Sequence, residues 1–225
     1  MRKLPKTALI AVLFSFFFSG VAWAASTTAD LQRVYAGISA MRAEFKQTLL
    51  HKESGRREQR AGTLSFKKPL LLRWETKKPD PELLLVSKDA IWHAFPAEEL
   101  VYKYAIDLAG SVSLVRIITG QARIDQDFDL EEESREGDMH TLRLYPKDAT
   151  QSVVEVLLWV DARNFMIRKL RIYDFYGNEN EISFSRYETN ADIKDAIFNY
   201  RPPKGFEVED RSKDPSAVPQ RGLFQ

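Results

Sequence analysis

The chain predicts a mainly β fold, a strongly curved antiparallel sheet with two or three short helices on its concave face. Three observations predict it. Segments of strand length and strand pattern recur almost without pause: 59–67, 70–77, 82–87, 90–95, 99–105, 125–132, 138–145, 153–160, 165–176, 180–188 and 196–200. Turn signals such as "KKPDPE", "REGD" and "YGNEN" separate them at spacings that make most neighbours antiparallel. Helical periodicity is scarce, so little helix is available to cover a sheet of roughly ten or more strands, and a sheet of that size curls or closes.

The elements follow in order. Arg2, Lys3 and Lys6 precede an apolar stretch from Thr7 to Phe18, then Ser19-Gly20 and the small-residue pattern Ala22-Trp23-Ala24. This is a secretory signal peptide over 1–24, cleaved before Ala25. Thr7 to Ala24 is also about long enough for an uncleaved membrane anchor; the small-residue site favours cleavage. Leu31, Val34, Tyr35, Ile38 and Met41 recur at helical spacing after the capping candidates Ser26, Thr27 and Thr28. In the forties the period changes to two, with Met41, Ala43, Phe45 and Leu49 on one face. Residues 111–118 form a second short apolar helix ending at Gly120, with Ser111 as its cap. One domain is expected over 25–210, followed by a polar tail, 211–225.

Strand alternation gathers large side chains on single faces: Leu64 with Phe66, Leu70 and Leu72 with Trp74, Val156 with Leu158 and Val160, Ile182 with Phe184. Trp74, Trp92 and Trp159 all fall on predicted strands. Pattern alone leaves two readings of the concave face, a close-packed core and a cavity that takes apolar ligands.

Catalytic and metal signatures are missing. His51, His93 and His140 share no ligand spacing, and no HExxH, Gly-x-Ser-x-Gly or phosphate-binding glycine loop occurs. There is no cysteine, hence no thiol chemistry, no disulfide and no acceptor for the lipid anchor of a bacterial lipoprotein. Alternation in "DQDFDLEEE" puts Asp125, Asp127, Asp129 and Glu131 on one strand face, which reads as a solvated outer surface rather than a calcium or glycosidase site. "RIYDFYGNENE" reads as a hairpin turning at Gly177 and Asn178. Removing Arg2, Lys3 and Lys6 with the leader leaves 30 basic against 32 acidic residues, so no basic footprint points to nucleic acid. No cofactor or metal is expected, and the chain does not read as an enzyme.

Phe45-Lys-Gln47, Gly62-Thr-Leu64-Ser-Phe66-Lys-Lys68-Pro69, Arg73-Trp74-Glu75, Pro79 and Leu85-Val86-Ser87 occur in that order. Ile91-Trp92, Leu144-Tyr145-Pro146, Asp174-Phe-Tyr-Gly177, Ile182-Ser-Phe184 and Phe198-Asn-Tyr200-Arg-Pro202-Pro203-Lys-Gly205-Phe206 continue the series. This succession resembles the LolA family of periplasmic lipoprotein carriers, from about residue 30 to 210. The resemblance implies an incomplete, highly curved antiparallel β-barrel with a helical lid over a hydrophobic cavity. It further implies a soluble, monomeric periplasmic carrier of a Gram-negative bacterium, with no reaction of its own. Such a carrier takes acylated lipoproteins from an ATP-driven extractor in the inner membrane and passes them to an outer-membrane acceptor. Leu64, Phe66, Leu72, Trp74, Leu85 and Trp92 are the sheet-side candidates for an acyl cavity, and Ile38, Leu114, Ile117 and Ile118 the lid candidates. Lys68 stands where the family often has an arginine that holds the lid helices shut, and is the candidate latch. The sequence departs from the pattern there, at Leu72, and at Lys88-Asp89. A lipid- or lipoprotein-sensing module of the same fold and an exported hydrolase are the competing readings.

Overall fold

The structure, a computed structural model, describes residues 27–106, 113–150 and 152–214; the leader, Ser111 and the tail from 215 onward lie outside them. Among the described residues twelve strands form one sheet. They are β1 (Ala40–Leu50), β2 (Arg57–Lys67), β3 (Leu71–Lys78), β4 (Glu82–Val86), β5 (Ile91–Phe95), β6 (Leu100–Tyr104), β7 (Phe128–Glu136), β8 (Met139–Pro146), β9 (Glu155–Asp161), β10 (Ile167–Tyr173), β11 (Glu179–Thr189) and β12 (Glu207–Asp210). Two antiparallel meanders, β1 to β6 and β7 to β11, meet where β1 pairs with β11. The order β12-β6-β5-β4-β3-β2-β1-β11-β10-β9-β8-β7 leaves β12 and β7 as edges, so the sheet curls without closing. Register shifts in the β1–β11, β2–β3, β9–β10 and β7–β8 pairs add local twist and bend to the strands.

Period-two alternation sends one set of side chains inward. Phe45 lies across from Gly62, and a Cβ on Gly62 would stand 1.9 Å from the Glu75 carbonyl oxygen and 2.9 Å from the Phe45 ring. Glycine there lets that ring cross β2 and reach Trp74, at 4.1 Å between centroids; Trp74 in turn meets Phe184 edge-on at 6.4 Å. The main core continues through Leu64, Phe66, Leu72, Leu158 and Ile182, all buried.

Among the described residues three helices cover this face: α1 (Thr27–Ala36), α2 (Ser113–Ile118) and α3 (Ile124–Asp127). None of the described helices is long and apolar enough to cross a membrane. α1 ends before Gly37, whose N–H reaches the Arg33 and Val34 carbonyls, and Met41 belongs to β1. The helical spacing therefore stops short of Met41, and Ile38, although buried, lies in the turn between helix and strand.

The outer face carries two smaller clusters, which the sequence reading missed. Ala40 and Leu71 pack against Ile193 and Phe198, while Leu83, Leu85, Ala94 and Val101 pack with Trp92, Tyr200 and Phe206. The segment after β11 wraps the outside of the sheet, so the expected strand 196–200 is instead a 3-10 turn, Asp195–Phe198. Its apolar residues face a sheet surface rather than join a ladder. The chain joins the sheet later, through β12, which pairs parallel with β6 and makes one exception to the antiparallel expectation. Residues 125–132 also divide: the Asp127 carboxylate accepts the Arg123 N–H at 2.8 Å and closes the turn of α3. Asp125 and Asp127 therefore do not share a strand face with Asp129 and Glu131.

Candidate functional site

The site lies between the helices and the inner face of β3 to β5. α2 is a single apolar turn and a half closed by a Schellman motif: Gln121 N–H donates to Arg116 O at 2.7 Å and Gly120 N–H to Ile117 O at 3.1 Å. Gly120 has φ +68°, and a Cβ there would lie 2.3 Å from the Tyr35 Cβ. Only glycine gives both the left-handed turn and the close seating of α1 on the end of α2.

The turn between β2 and β3 touches both helical segments. Lys67 and Lys68 are neighbours in sequence and point to opposite faces. Lys67 Nζ donates outward to Ile193 O at 3.1 Å and pairs with Asp195 at 2.7 Å. Lys68 Nζ donates inward to Tyr35 O, in the last turn of α1, at 2.5 Å. A cation at a helix C-terminus meets unsatisfied carbonyls and the negative end of the dipole. Burial pushes the Lys68 ammonium below the usual lysine range. One residue on, Pro69 O accepts a short hydrogen bond from the Gln121 side chain, just beyond α2.

Beside this turn is an apolar pocket of about 240 Å3, lined by Leu70, Val86, Ile91, Ile106, Val115 and the edges of Arg116 and Gln121. Tyr35 holds the opposite side of α1 to β10: its hydroxyl accepts the Ile167 N–H at 3.3 Å, and the Tyr187 hydroxyl donates a short hydrogen bond to Ile167 O. Burial raises both phenols, so they stay neutral donors and acceptors.

At the far end of the same face the lining is polar. His93 is buried, with Nε2 2.6 Å from Glu82 Oε1, and Arg60 donates to Glu82 Oε2 at 2.9 Å. Gln47 Nε2 donates to Asn180 Oδ1 at 2.9 Å. His93, Glu82 and Arg60 satisfy one another, which is what burial of polar atoms requires. Among the described residues no group of His, Cys, Asp or Glu is arranged to hold a metal ion.

The structure brings together Ile38, Leu64, Phe66, Leu72, Trp74, Ile117 and Ile118 in the main core. It separates Leu85 and Trp92 from them: both point to the outer face, beneath Tyr200 and Phe206. Their place inside is taken by Leu84, Val86 and Ile91. The error is one of phase, because β4, from Leu83 to Val86, and β5, from Ile91 to Phe95, both read as nearly continuous apolar runs and carry apolar side chains on both faces. Leu114 lies in α2, with its side chain outside the described residues. Tyr35, Gly120 and Gln121 were not among the expected site residues; the glycine following an apolar helix was the available signal.

A curved open sheet with short helices over an apolar interior, and an apolar pocket beside them, is the build of a binding protein. Residues 36–201 match the family described as outer membrane lipoprotein carrier protein LolA, and the chain belongs to that family. Proteins of this family bind and transport and are not enzymes. An outer-membrane lipoprotein carrier protein of Chromobacterium violaceum is 30% identical over 186 residues, 82% of this chain and 87% of that protein. One from Vibrio cholerae is 28% identical over 90% of this chain and 97% of its own length. The crystal structure of an uncharacterized conserved protein from Thermus thermophilus superposes with a TM-score of 0.55 at 15% identity, covering 83% of this chain and all of that one, a likeness of fold.

Proposed function

We propose that this protein is a periplasmic carrier that shields the acyl chains of lipoproteins released from the inner membrane and returns them at the outer membrane. The observation that carries this reading is the apolar pocket of about 240 Å3 beside α2, next to the β2–β3 turn where Lys68 bonds to the last turn of α1 and Pro69 to the Gln121 side chain beyond α2. Exposing an acyl chain of roughly sixteen carbons to water costs about 13 kcal/mol, at about 0.8 kcal/mol per methylene, so free diffusion of the cargo is negligible. The resting pocket is smaller than the roughly 300–1,000 Å3 of ordinary ligand sites. Cargo must therefore displace α1 and α2, and the contacts that yield are the Lys68 and Gln121 hydrogen bonds. Lys68 acts as the latch. Ile38, Leu64, Phe66, Leu72, Trp74, Leu114, Ile117 and Ile118 are the walls uncovered by opening. An ATP-driven extractor in the inner membrane supplies the cargo, and an outer-membrane acceptor receives it. Native mass spectrometry with an acylated lipoprotein and with the same protein stripped of its acyl groups tests the reading. A one-to-one complex with the acylated form alone is expected; equal binding of both forms, or of neither, refutes it.

A further inference from the structure

The tip of the β10–β11 hairpin is where, among the described residues, two large apolar side chains stand together in solvent. Phe175 is 69% exposed and Tyr176 67%, and their rings meet edge to face at 5.6 Å. The turn beneath them is rigidly built. The Asp174 carboxylate accepts the N–H groups of Tyr176 and Asn178 at 2.9 and 2.8 Å and the Asn178 amide at 2.7 Å. Asn178 Oδ1 accepts the Lys52 N–H at 2.9 Å, which ties the tip to the β1–β2 loop. Gly177, at φ +75°, completes the turn. A structure that spends this many hydrogen bonds to hold two aromatic rings out of the core positions them for something outside the molecule.

The surroundings indicate what that is. Lys52 and Arg56 are exposed on the adjoining loop, and Arg57 at the start of β2. The acids of this end are largely engaged: Asp174 by its own turn, Glu179 by Arg171 at 3.6 Å, Glu58 by Arg60 at 2.5 Å. Glu53, on the same loop, and Asp148, on the neighbouring loop, are exposed acids at the same end as these cations. Aromatic rings beside lysine and arginine match the boundary of a bilayer, where amphipathic rings sit at headgroup level and cations meet anionic lipid.

We propose that the β10–β11 tip and the loop 51–57 dock this protein peripherally on an anionic phospholipid surface. β1 runs from Ala40, beside the Lys68 turn, to Leu50, beside the tip. Docking therefore leaves the pocket and the Lys68 turn at the opposite end of β1, away from the bilayer. This inference does not depend on lipoprotein carriage, since the surface alone is the ligand.

Flotation of the protein with vesicles of phosphatidylethanolamine and phosphatidylglycerol, against vesicles of phosphatidylcholine, tests it. Salt-sensitive binding to the anionic vesicles alone is expected. The double substitution F175S/Y176S lowers it about tenfold, and each of Lys52→Glu and Arg56→Glu lowers it at least about fivefold. Val208→Ser, at another exposed apolar position, leaves it unchanged, and circular dichroism confirms that all variants fold. Equal binding to both vesicle types, no binding to either, or indifference to F175S/Y176S overturns the proposal. A cross-linked protein partner lost in F175S/Y176S, without flotation of the parent, assigns the tip to that partner and likewise overturns it.

Discussion

Lys68 concentrates the account at the scale of a single residue. Its ammonium is half-buried and engaged with a helix-terminal carbonyl, a charge-assisted hydrogen bond of the kind that contributes about 1.5–3 kcal/mol, toward the lower end when partly solvated. Lys68→Leu should let α1 open roughly tenfold more often, seen as faster amide exchange in α1 with little change in β1 and β2. Lys68→Arg keeps donors within reach and should restore most of the protection; equal exchange in both variants contradicts the latch. Because burial lowers its pKa, the unfolded chain binds the extra proton between that lowered value and 10.5, and the contribution of this group to stability rises with pH across that window. A chemical-shift titration should find Lys68 deprotonating before the exposed lysines. Gly120→Ala introduces both a strained φ and a clash with Tyr35; a loss of about 1–3 kcal/mol in denaturant unfolding is expected.

At the scale of elements, the molecule divides into a sheet held by long ladders and a cover held by few contacts. β1 pairs along its length with both β2 and β11, whereas α2 has six residues and α3 four. Helices this short have no stability of their own in water and persist only by packing. Hydrogen exchange should therefore show α2 and α3 exchanging well before β1, β2 and β11, and uniform protection across both groups would contradict a movable cover. Strands were legible in the sequence wherever one face is apolar and the other polar, as in β2 and β3, because the period itself reports the fold. β4 and β5 are apolar on both faces and carried no phase, and Leu85 and Trp92 were assigned to the wrong face for that reason. The outer cover formed by Ile193, Phe198, Tyr200 and Phe206 has no period at all, since its residues follow the surface they lie on.

At the scale of the whole molecule, the central strand β1 joins two meanders, and the curl of the sheet encloses an interior that is apolar under the helices and polar at the far end. That chemical gradient suits the proposed cargo with a lipid end, and two of the helices over it are only six and four residues long. The same architecture gives three native tryptophans in different places: Trp74 inside, Trp92 and Trp159 on the outer side of the sheet, the last beneath Lys169 at 3.8 Å. The most direct test of acyl-chain binding uses them. Variants retaining one of these tryptophans each, loaded with a lipoprotein whose acyl chains carry a spin label, report which side of the sheet the lipid reaches. Strong quenching of Trp74 with Trp92 and Trp159 nearly unchanged is the predicted result; quenching of the outer pair, with Trp74 left bright, would contradict the account.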